Sequence, residues 1–190
     1  MNAIAEEYVL AKYAVVVVDM LNDFVTGSLG CENAEGIVEP LRSLCNEARS
    51  HDVPVIFSND SHIEGLDREL EIWGNHAMRG THGAEVIPEL GLQDGDFVIP
   101  KRFYSGFFQT DMLATLQGLG VDTLIITGLH THMCCRHTSA DAFNYGFDLI
   151  VPRQTTTAFT EKDYLDGLHY LEDVYGACVC DLDDAVSLFA

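Results

Sequence analysis

The stretch YAVVVVD, residues 13–19, decides the fold class. It is apolar at almost every position, contains four consecutive valines and stops at an acidic residue, Asp19. A strand that is apolar on both faces is typical of a parallel sheet covered by helices on both sides. The segment therefore predicts a buried strand of an α/β protein with an aspartate directly after it.

Further apolar, β-branched segments recur along the chain, and helical patterns separate most of them. One helical stripe runs from Ile37 to Ala48 and another from Met112 to Leu119, where Gly120 stops it; residues 133–145 and 164–175 have the same pattern. The other predicted strands are VPVIFS (53–58), DFVIP (96–100), VDTLIIT (121–127), FDLIVP (147–152) and ACVCD (177–181).

This alternation of strands and helices indicates βαβ units with right-handed crossovers. We predict one α/β domain over residues 1–190, with a doubly wound, six-stranded, mainly parallel sheet and helices on both faces, in a Rossmann-like three-layer arrangement. No internal repeat and no linker rich in proline, glycine or serine divides the chain. A long connection, residues 59–93, has no clear period, and connections of this length are usually functional.

Charge and composition narrow the class of partner. Thirty acidic and ten basic residues give a formal charge of −20, which disfavours nucleic acid and anionic membranes as partners. The first residues, MNAIAEEYVL, lack a basic leader, so we expect a cytoplasmic protein. In that compartment the six cysteines are expected to be reduced thiols rather than disulfides. A small-molecule substrate is the partner that remains.

Reactive side chains follow several of the predicted strands. In open α/β sheets ligands bind at the carboxyl ends of the strands, where Asp19, Asp60, Lys101 and the segment GLHTHMCC (128–135) lie. Cys134 is predicted at the start of a helix, whose dipole and free N–H groups lower a thiol pKa and can bind an oxyanion. Taken singly, the charged groups could form a structural ion pair and the cysteine could be a small buried hydrophobe.

Three blocks, in this order and spacing, resemble the signature blocks of the isochorismatase-like cysteine hydrolases: VVVVDMLNDF (15–24), VIPKRFYSGF (98–107) and TGLHTHMCCRHTSADAF (127–143). The resemblance implies an amidohydrolase with an isochorismatase-like fold and a catalytic triad of Asp19, Lys101 and Cys134. It also implies an oxyanion hole formed by the N–H groups of His130 and Cys134, and a cis peptide bond between Leu129 and His130.

The segments FSNDSH (57–62) and WGNHAMRGTHGAEVIPEL (73–90) resemble the nicotinamidase branch of that family. This resemblance implies a divalent metal, zinc rather than iron or manganese, held by Asp60, His62 and His76, with Glu69 as a further ligand direct or through water. It also implies hydrolysis of nicotinamide to nicotinate and ammonia in pyridine-nucleotide salvage, and a homo-oligomer, dimer or tetramer. The implied substrate-binding residues are Phe24, Trp73, Tyr104, Leu129 and His130.

Departures from the family pattern and competing functions stay open. His130 and His132 stand where many relatives have a small residue and an aspartate, and Cys135 follows the nucleophile as either a packing residue or a regulatory thiol.

Two other hypotheses about function stay open. In the first, an enzyme with the same triad acts on another amide, carbamoyl or ureido compound; isochorismate hydrolysis is disfavoured. In the second, the chain is a metal-binding or redox-sensing protein, a hypothesis that rests on the string His130, His132, Cys134, Cys135 and His137.

Overall fold

The computed structural model describes residues 12–190, which form the expected α/β architecture. Each predicted strand is present, with bounds that differ by one to a few residues, and a further strand of two residues was not predicted. The strands are β1 (Tyr13–Val18), β2 (Val55–Asp60), β3 (Phe97–Lys101), β4 (Thr123–Leu129), β5 (Asp148–Pro152), β6 (Thr156–Thr157) and β7 (Cys178–Cys180).

The sheet has the order β3-β2-β1-β4-β5-β7, and β6 pairs with β4 beyond the end of β5. Every pair of neighbouring strands is parallel. The chain starts in the middle with β1, builds one side of the sheet with β2 and β3, and then crosses to the other side with β4. The switch point between β1 and β4 is where ligands bind in open sheets of this kind.

Helices cover both faces of the sheet, as the apolar strands require. The helices are α1 (Asn22–Val25), α2 (Glu35–Ser50), α3 (Glu69–Trp73), α4 (Met112–Leu119), α5 (Arg136–Asn144), α6 (Glu161–Tyr175) and α7 (Leu182–Val186). One core cluster packs beneath α2 and α7, and the other packs beneath α4, α5 and α6.

The long connection after β2 is held in place by contacts with the sheet ends. It contains α3 and two short 3-10 turns, and it forms isolated bridges between His62 and Met78 and between Leu21 and Val86. The Asp23 carboxylate accepts the Ala77 N–H at 2.8 Å. These contacts anchor a segment in which the sequence has no periodic pattern.

The predicted helix over residues 133–145 is wrong at its start. The segment Thr131–Cys135 forms a π-helical turn, and the α-helix begins only at Arg136. The His130 carbonyl accepts hydrogen bonds from the N–H groups of Met133 (2.9 Å) and Cys135 (3.3 Å). Wide turns of this kind occur frequently at functional sites, and this one carries Cys134. The peptide bond between Leu129 and His130 is cis, as the resemblance implies.

The expectation of free thiols can be compared with the structure. The six cysteines all lie in the described range, and none of them forms a disulfide. Within residues 12–190, no helix has both the length and the apolar composition needed to cross a bilayer. The segment MNAIAEEYVL, on which the expectation of a cytoplasmic location rests, lies outside the described residues.

Gly128 allows β4 to lie close to β1 just before the site. Its φ is +93°, and a Cβ at this position would lie 2.1 Å from the carbonyl oxygen of Val18. Gly128 and Val18 are also register partners in the sheet. Glycine is therefore required here both by backbone conformation and by space.

We expect Gly128→Ala to lower the free energy of unfolding by about 3 kcal/mol or more, because the added Cβ overlaps a backbone atom that cannot move alone. Gly146→Ala is the matched control: its φ is +87°, but nothing lies within 4 Å of its Cβ position. The control should cost only about 1 kcal/mol. Urea unfolding of the two variants measures both values, and equal losses would contradict the steric explanation.

Candidate functional site

Four side chains meet at the carboxyl ends of β1, β2, β3 and the segment after β4. They are Asp19, Asp60, Lys101 and Cys134, and each is almost completely buried. The Lys101 Nζ lies 2.8 Å from an Asp19 oxygen, 2.5 Å from an Asp60 oxygen and 3.7 Å from the Cys134 Sγ. The predicted triad residues are thus adjacent in space although they are far apart in sequence.

Lys101 is a buried ammonium group that pairs with two carboxylates. Burial alone would lower the pKa of its ammonium group, but the charges of Asp19 and Asp60 outweigh burial and raise that pKa well above its usual value. The same lysine, with help from His62, holds the pKa of Asp60 low despite its burial. Lys101 is therefore a permanent cation, and one negative charge of the pair is left over at the site.

Asp19 is held in an unusual conformation. Its φ is +52°, in the left-handed region that aspartate adopts more readily than most residues. Its backbone N–H donates to the Ser58 carbonyl at 3.0 Å, and its carboxylate accepts the Asp60 N–H at 2.8 Å. Burial, with a further contribution from the Asp60 charge, raises the pKa of Asp19 to about 6. The carboxylate is therefore a stronger base than an exposed aspartate.

The expected lowering of the Cys134 thiol pKa is wrong for the resting protein. Burial is the largest influence and raises this pKa well above its usual value; Lys101 opposes it, while Asp19 and Asp60 add to it. A thiolate would also be poorly solvated here. The resting group is a neutral thiol, and it needs a base to become a nucleophile. Asp19 is suitably close, because its carboxylate, that of Asp60 and the thiol sulfur all lie within 4.8 Å of one another.

A second cluster of buried donors adjoins the first. Asp60, His62, Glu69 and His76 each present one potential ligand atom, and these four atoms lie within 4.8 Å of one another. The sequence placed these residues in one metal site from resemblance, and the structure brings them together. Burial, with the Asp60 charge, raises the pKa of Glu69 to about 7, whereas burial lowers the pKa of His76.

The donor set fits a divalent metal. Each histidine uses Nδ1 elsewhere, His62 toward Asp67 at 3.2 Å and His76 toward the Gly74 carbonyl at 2.8 Å, which leaves both Nε2 atoms for the cluster. The buried Nε2 of His62 has no hydrogen-bond partner in the described chain. Two imidazoles and two carboxylates are a donor set that suits zinc, iron or manganese. These four residues could therefore hold a metal ion.

Asp67 is a residue that the sequence did not single out. One of its oxygens accepts the Ile63 N–H at 2.7 Å and faces His62, and the other accepts from the Arg102 Nε at 2.8 Å. Burial would raise the Asp67 pKa, but the hydrogen bonds from Arg102, Ile63 and His62 lower it to about 2. A carboxylate that orients a metal-binding histidine is a common partner in such sites. The role of Asp67 follows from its position next to His62 in the fold, because its sequence context carries no signal.

A narrow pocket leads from the surface to Cys134 and the metal-ligand cluster. All five residues expected to bind substrate line it, together with Leu29, Met133 and Phe159, which the sequence did not indicate. Phe159 stacks on His130 at a ring-centroid distance of 4.0 Å and on Trp73 at 6.2 Å. The substrate-binding residues named from the sequence are Phe24, Trp73, Tyr104, Leu129 and His130.

The string of histidines and cysteines around Cys134 does not converge. Among the described residues, one of the two groups that could hold a metal contains Cys134, and neither group contains His130, His132, Cys135 or His137. The His137 Nδ1 faces the Met133 carbonyl, and the Cys135 thiol donates to the Thr127 carbonyl at 3.6 Å. The described residues therefore form no metal site from this string, and Cys135 is buried.

Comparisons with known proteins agree with this geometry. The model of the isochorismatase domain matches residues 13–184. The crystal structure of N-carbamoylsarcosine amidase from Thermoplasma acidophilum is 40% identical with a TM-score of 0.85, covering 90% of this chain and 97% of that one. Nicotinamidase 3 from Arabidopsis thaliana is 30% identical over 154 residues, 78% of this chain and 75% of its own. The pyrazinamidase of Pyrococcus horikoshii in complex with zinc is 26% identical with a TM-score of 0.83, covering 90% of this chain and 99% of that one.

We expect Lys101→Met to lower the free energy of unfolding by about 3–5 kcal/mol at neutral pH, because it leaves two buried carboxylates without a cation. One carboxylate should then keep a proton in the folded state that the unfolded chain releases. The folded-state pKa is raised, so stability should increase as the pH falls from neutral to mildly acidic.

Urea unfolding at neutral and at mildly acidic pH measures both the loss of stability and its dependence on pH. Lys162→Met is the control, because Lys162 forms an exposed pair with Asp166 on the surface of α6 and should contribute nothing measurable. A Lys101→Met variant that is as stable as this control would show that the buried ion pairs contribute no net stability.

Proposed function

Because this chain belongs to the isochorismatase family and is a cysteine hydrolase that acts on amide C–N bonds, we propose that it converts nicotinamide to nicotinate and ammonia. One observation carries the choice of substrate. The same pocket is lined by Cys134 and by three residues of the metal-ligand cluster, Asp60, Glu69 and His76. A small aromatic amide in this pocket can contact Cys134 and the metal-ligand cluster at the same time.

The first chemical step transfers a proton and forms a bond. Asp19 takes the proton from the Cys134 thiol, and the sulfur attacks the amide carbon. Lys101, 3.7 Å from the sulfur, stabilises the negative charge that develops there. The amide oxygen becomes an oxyanion, and the backbone N–H groups of His130 and Cys134 bind it. Burial holds the resting pKa of the thiol high, so the attack needs Asp19 as its base.

The second half of the reaction returns the proton. Asp19 donates it to the nitrogen as the C–N bond breaks, so that ammonia leaves and a thioester remains. Water then enters, gives a proton to Asp19 and attacks the thioester carbon. The C–S bond breaks, the proton returns to the sulfur, and the carboxylic acid is released. The raised pKa of Asp19, about 6, suits a group that alternates between base and acid.

The metal site would position the substrate rather than generate the nucleophile. Asp60, His62, Glu69 and His76 would hold a zinc ion, which would supply a Lewis-acid position for the pyridine nitrogen. Asp67 holds His62 in the tautomer that points Nε2 toward the cluster. The aromatic side chains of Phe24, Trp73 and Phe159 form the walls against which a flat ring packs.

Ammonia release from nicotinamide should depend on Cys134. We expect Cys134→Ala to lower kcat on the order of 10⁴-fold or more, because the covalent route is lost. Cys135→Ala is the control: it removes the neighbouring buried thiol, which packs away from the pocket, and should retain activity within about threefold. A coupled assay for ammonia measures both. Equal activity of wild type and Cys134→Ala would exclude the cysteine mechanism.

Zinc binding should follow the geometry of the cluster. The purified protein, after chelation, should take up one equivalent of Zn²⁺, and His62→Ala or His76→Ala should abolish tight uptake. Asp67→Asn keeps the shape but weakens the orientation of His62, and we expect roughly 10–100-fold weaker binding. Competition with a chromophoric chelator measures the affinity, with exposed Asp94→Asn as the control. Failure of the wild type to bind any divalent metal would remove this part of the proposal.

A second substrate class is favoured by one comparison. The chain is 40% identical to the N-carbamoylsarcosine amidase and 30% identical to nicotinamidase 3. Carbamoyl compounds would use the same attack by Cys134 without needing the metal to hold a ring nitrogen. Ammonia release from N-carbamoylsarcosine that survives chelation, with none from nicotinamide under any metal, would move the assignment to this class.

A further inference from the structure

His130 is a polar side chain in a position where nothing in the protein satisfies it. The residue is only 3% exposed, and neither ring nitrogen has a hydrogen-bond partner among residues 12–190. Its ring stacks on Phe159 at 4.0 Å and meets the edge of Phe24 at 6.2 Å. Buried polar atoms are nearly always hydrogen-bonded, so an imidazole with two unpaired nitrogens needs an explanation.

The aromatic surroundings keep this histidine uncharged. Burial, with the nearby His132, lowers the pKa of His130 to about 4. A neutral imidazole carries one N–H donor and one acceptor nitrogen. Both are strong hydrogen-bonding groups in a dry environment, where an unmade hydrogen bond is most unfavourable.

The pocket is the place where a partner for His130 can bind. His130 lines the same pocket as Cys134, so a molecule held there for attack lies beside the imidazole. Three other side chains of the pocket, Asp19, Asp60 and Glu69, offer carboxylate acceptors, and the Tyr104 hydroxyl can donate as well as accept. The Trp73 N–H is already donated to the Tyr104 hydroxyl at 3.1 Å. The His130 N–H therefore adds a donor to a wall that is rich in acceptors.

We propose that the His130 side chain is a specificity determinant that selects small amides carrying a second hydrogen-bond acceptor, away from the carboxamide that is cleaved. The acceptor is a carbonyl oxygen or a carboxylate oxygen, because the proposed metal ion would take the ring nitrogen of nicotinamide. This inference rests on the proposed function, because it assumes that an amide occupies the pocket. It concerns the imidazole alone and is separate from the backbone N–H of the same residue.

A pair of probes that differ in the acceptor tests the idea. N-carbamoylglycine is compared with isobutylurea, which has nearly the same shape but no carboxylate. Binding to Cys134→Ala protein is measured by calorimetry, so that turnover is not needed. We expect N-carbamoylglycine to bind more tightly, and His130→Phe to reduce that preference about tenfold or more, because the ring still packs on Phe159 but cannot donate.

Two further variants separate recognition from structure. His130→Gln restores a donor and should recover part of the preference, whereas His132→Phe alters a neighbouring histidine that does not line the pocket and should leave the preference unchanged. Melting temperatures establish that each variant is folded, and His130→Leu carries the test if His130→Phe does not fold. In that case a preference lost in His130→Leu, with binding of isobutylurea intact, supports the proposal, and an unchanged preference or equal weakening of both probes overturns it.

The outcomes separate this inference from the proposed substrate. An unchanged preference in His130→Phe, equal weakening of both probes, or no preference for N-carbamoylglycine in protein that keeps His130 overturns the role of His130. Absence of ammonia release from nicotinamide by the wild type, together with a carbamoyl-pair preference that depends on His130, overturns nicotinamide as the substrate and leaves the role of His130 supported.

Discussion

The buried contact of Lys101 with two carboxylates is the interaction on which the rest of the site depends. Asp19, Asp60 and Lys101 come from three adjacent strands, and each would be costly to bury alone. Because their opposite charges offset one another, the three groups can be buried together at the carboxyl end of the sheet. Their presence fixes where the thiol of Cys134 meets a cation and a base, and it places Asp60 where it can also face His62. The triad and the metal-ligand cluster are therefore one charged assembly that shares a carboxylate.

Burial shapes the chemistry of this assembly in two directions. It keeps the thiol of Cys134 neutral at rest, and it makes Asp19 a better base than an exposed aspartate. A site of this kind protects its nucleophile from unproductive reactions until a substrate brings a carbonyl carbon within reach. Burial raises the pKa of this thiol, and Lys101 is the largest influence that lowers it. The α-helix expected to lower the pKa begins only at Arg136, after Cys134.

The apolar runs of the sequence predicted β1 to β5 and β7, and they also indicated the reactive residues that follow these strands. Apolar runs such as that before Asp19 have a single interpretation, and the carboxyl ends of parallel strands must meet at one edge. The π-helical turn at Cys134 could not be predicted, because its hydrogen bonds to the His130 carbonyl depend on backbone geometry rather than on residue type. Phe159 follows a strand of two residues, too short for any periodicity. Asp67 lies in a connection whose order comes from tertiary contacts.

The pairing of β2 with β3 gives the charged assembly a further consequence. Asp60 and Lys101 are register partners in neighbouring parallel strands, and β3 is an edge strand with only one neighbour. A shift of β3 by one residue in one direction would point Pro100 toward the buried carboxylates and leave them without a cation. A shift in the other direction would point Arg102 there and take it from Asp67, which accepts from it in the aligned sheet. The pairing of Asp60 with Lys101 therefore favours the alignment of the edge strand that the structure has.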